Sequence, residues 1–227
     1  MKKYLFIILL SLSYSEVIYP EDGITLNTTH ILFEWEQVPE AANYLLTIYN
    51  EESGIYSNDT TESLIHINSN FCNWDSSYSW YVSPFFSDGT QGSNIEDSEG
   101  NATHSFNISN SRSNAFANHY IPNQYSDGIT IFSSFFDYYS AAIDKDGNEI
   151  WNTGADNIVF YNTDYYGQLF GCKLDNSLEH NLPGFEFSLS GEEIWSEPNE
   201  DFLHHDLIQL PNGNYMGIIE VIELGPI

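Results

Sequence analysis

Near the end of the chain His204, His205 and Asp206 stand side by side, just ahead of Leu210-Pro-Asn-Gly213-Asn-Tyr-Met-Gly217, a run that reads as a β-hairpin. They include the only adjacent pair among seven histidines. A neutral imidazole nitrogen can act as nucleophile or base, and a protonated one as acid or counter-charge. A neighbouring carboxylate can orient a ring through its other nitrogen. His204 and His205 are therefore candidates for group or proton transfer, with Asp206 as the orienting group. Strand alternation would send the two rings to opposite faces, one toward a cavity and one into packing. The same residues also suit a plain structural role, as hairpin-entry histidines bonded to backbone carbonyls. A zinc or copper site needs a further ligand at tight spacing, so the triplet is a partial match only and no metal is assigned.

Other chemistry finds little footing. The chain has no Gly-x-Ser-x-Gly elbow, phosphate-binding glycine loop, dinucleotide fingerprint or Cys-x-x-Cys pair. Hydrolase and nucleotide-dependent classes thus lack support, and no cofactor is called for. Asp144-Lys-Asp-Gly147-Asn-Glu149 resembles a calcium loop superficially but lacks the terminal bidentate glutamate at the right spacing. A hairpin turn is the better reading.

The histidines must be held by strands, and the chain repeats itself around them. Asp144-Lys-Asp-Gly147-Asn-Glu-Ile-Trp151 returns as Ser188-Leu-Ser-Gly191-Glu-Glu-Ile-Trp195, an offset of 44. Asp127-Gly128-Ile-Thr-Ile-Phe132 and Asn212-Gly213-Asn-Tyr-Met-Gly217 lie 85 apart, close to two such periods, with Tyr166-Gly-Gln-Leu-Phe-Gly-Cys172 between them. A period in the forties predicts propeller blades. Each unit reads as a hairpin with a glycine at positive φ, then a strand burying Trp151 or Trp195 against the next blade. Residues 119–227 have room for about two and a half blades, whereas a propeller closes with about four to eight. The sequence is thus expected to be the N-terminal part of a longer protein, and inactive by itself, because an open propeller cannot preorganise a central site.

Before the repeats, short alternating runs at 30–35, 44–49, 63–67, 77–84 and 104–108 predict a β-sandwich over 16–108. The whole chain therefore reads as all-β, an immunoglobulin-like β-sandwich followed by an incomplete β-propeller. Pro20-Glu-Asp-Gly23, Phe33-Glu-Trp35, Ala41-Ala-Asn-Tyr44 and Tyr78-Ser-Trp80-Tyr-Val82 resemble fibronectin type III and related immunoglobulin-like modules of exported bacterial proteins. That resemblance implies that Trp35, Tyr44 and Trp80 are core. The polar, glycine-rich stretch 87–103 reads as a long exposed hairpin tip and 109–118 as a linker.

Residues 1–15 read as a secretory signal peptide, with Lys2 and Lys3, an apolar run, then Ser13 and Ser15 at cleavage spacing. The apolar run is too short to span a bilayer. The expected location is secreted or periplasmic. Five basic residues stand against 33 acidic ones, for a formal net charge of −28, and only Arg112, Lys145 and Lys173 remain without the leader. Nucleic acid and membrane insertion are excluded as partners, and the acid excess is read as solubility in an extracellular medium. Cys72 and Cys172 are free to bridge in an exported chain or to sit as two small buried thiols.

Together the leader, the immunoglobulin-like module, the Gly-x-x-Ile-Trp repeats and His204-His205-Asp206 before Leu210-Pro-Asn-Gly213-Asn resemble bacterial arylsulfotransferases over roughly residues 17–227. The resemblance implies a six-bladed propeller whose central histidines pass sulfate from an aryl sulfate to a phenol, without a nucleotide donor. It carries His204 and His205 over as a sulfate-contacting or proton-transferring pair. The alternative from another class is a non-catalytic exported propeller that binds glycans or proteins.

Overall fold

The computed structural model describes residues 15–113, 124, 128–135, 137–174, 183–198, 203–219 and 225. The side chains of 203–205 and 219 are outside that description, as are nearly all of the expected signal peptide and residues 114–118 of the expected linker. The fold is all-β, with no helix among the described residues. The strands are β1 (Val17–Tyr19), β2 (Ile24–Leu26), β3 (Ile31–Trp35), β4 (Ala41–Asn50), β5 (Tyr56–Thr61), β6 (Ile65–Asn68), β7 (Ser76–Phe86) and β8 (His104–Ile108). They continue with β9 (Thr130–Ser134), β10 (Tyr139–Ile143), β11 (Glu149–Asn152), β12 (Ile158–Thr163), β13 (Leu169–Lys173), β14 (Gly184–Phe187), β15 (Glu193–Ser196), β16 (Leu203–Gln209) and β17 (Tyr215–Ile219).

Two compact units divide the described chain. One holds the residues up to Ile24 with Ile31–Phe71 and Ser77–Asn107; the other holds Thr25–His30, Cys72–Ser76 and the residues from Ile108 on. The strands form a three-stranded sheet β1-β3-β6 and a five-stranded sheet β2-β8-β7-β4-β5, then sheets β11-β10-β9, β12-β13-β14-β15 and β16-β17, none of them closed.

In the first unit, alternation does what the sequence predicts. Ile31, Phe33 and Trp35 of β3 and His104 and Phe106 of β8 point inward, with intervening residues outward. Trp35, Tyr44 and Trp80 are buried, and Phe33 sits edge-on to Trp80 at 4.9 Å. The Tyr44 hydroxyl accepts the Val38 N–H at 3.0 Å, giving a core ring's polar end a partner. Two features depart from expectation. Stretch 87–103 is not a free tip: the Gly92 N–H bonds the Pro84 carbonyl, the Ile95 N–H bonds the Val82 carbonyl, and Ile95 is buried. β5, Tyr-Ser-Asn-Asp-Thr-Thr, forms despite having no apolar alternation, because it is an edge strand paired along β4.

The second unit is built from one turn used repeatedly. At 144–148 the Asp144 N–H bonds the Asn148 carbonyl at 3.0 Å and the Gly147 N–H bonds the Asp144 carbonyl at 3.1 Å; residues 188–192 make the same two bonds at 3.0 and 2.9 Å. Gly147 and Gly191 both have φ 86, the left-handed value this three-residue hairpin needs at its last position. The 44-residue repeat is thus a repeat of geometry, and the stretch resembling a calcium loop is a hairpin turn. Residues 164–168 and 210–214 adopt the turn again. Gly128 does not share the left-handed φ of Gly213; the equivalent of Gly213 is Gly167, 46 residues before it.

Each sheet reaches its successor through a tryptophan. Trp151 on β11 is buried, and its Nε1–H donates to the Leu189 carbonyl at 2.7 Å, in the β14–β15 turn. Trp195 on β15 stacks on Tyr215 of β17, centroids 3.8 Å apart and planes 6° apart. Ala142, Ile150, Trp151, Ile158, Leu169, Phe185 and Phe187 form one core cluster, and Phe170 with Leu207 anchors another. The outer edge of β11 is covered within the same unit, because the Thr29 N–H bonds the Ile150 carbonyl and the Asn152 N–H bonds the Asn27 carbonyl, both at 3.0 Å.

Candidate functional site

β16 carries His204, His205 and Asp206 on its backbone. Its pairing with β17 runs Leu203↔Ile219, then Leu207↔Gly217, Ile208↔Met216 and Gln209↔Tyr215, with the register shifting between Leu203 and Leu207. The three candidate residues therefore occupy an irregular stretch, where strict alternation no longer fixes faces. The side chains of His204 and His205 lie outside the described residues; that of Asp206 is described and exposed.

Asp206 has a partner that sequence reasoning did not supply. The Asn162 amide on β12 donates from Nδ2 to Asp206 Oδ1 at 2.8 Å. The two residues sit on the first strands of successive sheets but not at equivalent positions, since Asn162 lies two residues before the turn at Asp164 and Asp206 four before the turn at Leu210. One residue further along β16, Leu207 is fully buried against Phe170.

The C-terminal end of β16 is held by a closed polar ring. Glu186 on β14 is 1% exposed. Its Oε1 accepts from Gln168 Nε2 at 2.8 Å, and its Oε2 accepts a short hydrogen bond from the Tyr215 hydroxyl. Gln209 Nε2 in turn donates to the Tyr215 oxygen at 3.0 Å, while Gln168 Nε2 also reaches Gln209 Oε1 at 3.4 Å. Burial first, then the hydrogen bond to Glu186 and its negative charge, pushes the Tyr215 phenol up to about 12. The ring ties β16 and β17 to β14 and to the turn that precedes β13. No sequence motif marks it.

The other titratable groups lie elsewhere. In the first unit His104 is buried with Nδ1 3.6 Å from Asp97, and His66 Nε2 lies 3.5 Å from Asp59. His119 and His180 fall outside the described residues. Arg112 places its guanidinium over the Tyr139 ring, 5.7 Å from the centroid, while its backbone N–H bonds the Glu149 carboxylate. Cys72 and Cys172 are unbridged and buried, so of the two readings the small buried thiols hold; burial pushes them up to about 12 and about 11. No cluster of three or more histidines, cysteines or carboxylates able to hold a metal occurs among the described residues. Two grooves, of about 470 and 390 Å³, open on the first unit and do not include β16.

Chemically, the described part of the site offers an anchored strand, an exposed carboxylate with one oxygen held by an amide, and two imidazole-bearing positions beside it. No family model and no curated protein matches this chain.

Proposed function

We propose that the protein is an exported arylsulfotransferase-like enzyme, an immunoglobulin-like β-sandwich followed by propeller blades, with His204 and His205 carrying the chemistry and Asp206 orienting one of them. The observation that carries this reading is the Asn162–Asp206 hydrogen bond. It joins the first strands of successive antiparallel sheets, the strands that would line a propeller axis. His204 and His205 directly precede one member of that pair.

In the proposed reaction, a neutral imidazole nitrogen attacks the sulfur of an aryl sulfate. The N–S bond forms as the S–O(aryl) bond breaks, and the departing phenolate takes a proton from the second imidazole. An acceptor phenol then attacks the sulfuryl-imidazole, giving up its proton to the second imidazole as the N–S bond breaks. The second imidazole is protonated before the first half-reaction and again after the second, and in those states the Asp206 carboxylate offsets its charge and orients it.

The test is transfer of sulfate from 4-nitrophenyl sulfate to phenol, followed by nitrophenolate absorbance, in the full-length protein as wild type and as His204→Ala and His205→Ala. Loss of transfer in at least one variant supports the reading, and unchanged activity in both removes these residues from catalysis. A second reading, a non-catalytic module that binds glycans, draws on Tyr165 and Tyr166, which are 96% and 85% exposed at a hairpin tip. It predicts no sulfate transfer, together with retardation in polysaccharide-containing native gels that Tyr165→Ala and Tyr166→Ala abolish.

A further inference from the structure

We infer that the first unit docks an extended, basic segment of a partner protein as an added strand on the free edge of β6, a role independent of the sulfate chemistry above. β6 ends the β1-β3-β6 sheet. The Trp35 N–H bonds the Leu64 carbonyl, which sets the parity of the ladder: His66 and Asn68 turn their backbone groups toward β3, and Ile65 and Ile67 turn theirs away from it. Ser63 Oγ accepts the Ile65 N–H at 3.1 Å. That leaves the Ile65 carbonyl and both backbone groups of Ile67 at the open edge.

Side chains set this edge apart from those of β1 and β5. Ile65 and Ile67 are 50% and 62% exposed, and the register puts them on the outer face beside Glu34 and Leu32 of β3. Natural sheets ordinarily blunt their edges with charge, a bulge or cover. At the opposite edge of the same sheet β1 carries a register shift, and its Val17 N–H bonds the Glu96 carbonyl. The β5 edge is polar from Ser57 to Thr61. β6, Ile-His-Ile-Asn, has an apolar outer row and none of these devices.

Charge selects the occupant. Residues 15–111 contain no lysine or arginine, so a second copy of this unit would bring only like charge to the edge. On the inner side of β6, Asp59 of β5 lies 3.5 Å from His66 Nε2 and accepts from Asn68 Nδ2 at 3.1 Å; on the outer side stands Glu34. An added strand that alternates apolar and basic residues matches both sides at once. Its apolar side chains extend the row of Ile65 and Ile67, and its cations, one residue out of phase, face Asp59. Four residues of edge span about 13 Å, which places the contact among small, transient interfaces.

The test titrates the whole chain with a fluorescent peptide of four lysines alternating with three valines, read by anisotropy and by NMR. Two controls carry the same charge: the same peptide N-methylated at its valines, which cannot complete the ladder, and a block peptide with the valines first and the lysines last. The alternating peptide should bind about tenfold or more tightly than either control. Amide shifts should centre on β6, and hydrogen exchange at the Ile67 N–H should slow. The double variant Ile65→Ser, Ile67→Ser should keep the wild-type urea midpoint, since both side chains are exposed, and should bind the alternating peptide about tenfold more weakly.

Equal binding of the three peptides overturns the inference, because it is what bulk negative charge alone would give. Absence of binding, or shifts centred away from β6, overturns it as well. Sedimentation supplies the last arm: self-association of the wild type that the double variant abolishes would make a second copy the occupant and refute a basic partner.

Discussion

Replacing Tyr215 by phenylalanine removes one oxygen and little else, which makes it the sharpest probe of how β16 is held. The ring stays, so the stack on Trp195 survives. What goes is the hydroxyl that donates to Glu186 and accepts from Gln209. Glu186 is buried, and no ion pair among the described residues offsets its charge, so Gln168 becomes its one remaining donor in the ring. A hydrogen bond to a charged acceptor contributes about 1.5–3 kcal/mol, so Tyr215→Phe should destabilise the second unit by about 2 kcal/mol at pH 7. In a Glu186→Gln background the acceptor is neutral, and the same change should cost about 1 kcal/mol or less. The alkaline limb provides a second check. The phenol is raised from its ordinary value to about 12. Stability from this group is therefore complete below pH 10 and is lost as pH rises from 10 through 12. The shift sets a ceiling of about 3 kcal/mol, and because the ring is only half-buried, screening brings the expected loss nearer 1 kcal/mol. Urea midpoints at pH 7 and from pH 9.5 to 11.5, taken as wild type minus Tyr215→Phe, cancel the titrations of Tyr161, Cys72 and Cys172, whose burial also raises them. A cost below about 0.5 kcal/mol, with parallel alkaline curves, would refute the ring as the clasp of β16.

Two further perturbations probe the scaffold. Gly171→Ala places a Cβ 2.1 Å from the Val159 carbonyl oxygen, a backbone atom with no flexible end to yield, and should cost about 3 kcal/mol by urea unfolding, since a β13–β12 separation must open; a near-neutral variant would mean that the two strands are not packed at this distance. A piece spanning 108–227 but lacking Thr25–His30 and Cys72–Ser76 loses the backbone bonds from Asn27 and Thr29 and the Trp74 Nε1–H bond to the Glu149 carbonyl, so the β11 edge is bare and the piece should self-associate in light scattering; a stable monomer would contradict that.

Much of the fold was legible where burial imposes periodicity. Ile31, Phe33 and Trp35 announce a strand because every second residue must enter the core, and the repeated Gly-x-x-Ile-Trp announces paired turns because only a left-handed residue closes that hairpin. β5 left no such signal, since an edge strand is fixed by its neighbour's backbone and needs no apolar face. Stretch 87–103 was misread for a related reason: its return along β7 is carried by backbone bonds, and Ile95 alone marks the buried side. Gly128 shows the limit of matching letters, because a glycine beside an acid or amide resembles Gly213 in type while its φ differs. The histidines were conspicuous by adjacency. Asn162, Gln168, Glu186, Gln209 and Tyr215 were not, because their meaning arises from contacts between residues 6 to 44 apart in the chain.

Those inter-strand contacts bear on why an irregular stretch can exist at His204-His205-Asp206 at all. A register shift leaves ladder bonds unmade and persists only where the flanks are over-determined. On one flank of β16, Asp206 is tethered to β12 by Asn162; beyond it Leu207 is fixed against Phe170, and Gln209 is drawn into the Glu186 ring with Gln168 and Tyr215. These attachments differ in kind, an exposed amide–carboxylate bond, an apolar anchor and a buried ring, so neither salt nor pH alone weakens all three. Cutting the buried ring should loosen the strand as a whole. Cutting the Asn162 bond should leave the strand in place and release one carboxylate, and that separation of effects is what a site built on a rigid support requires.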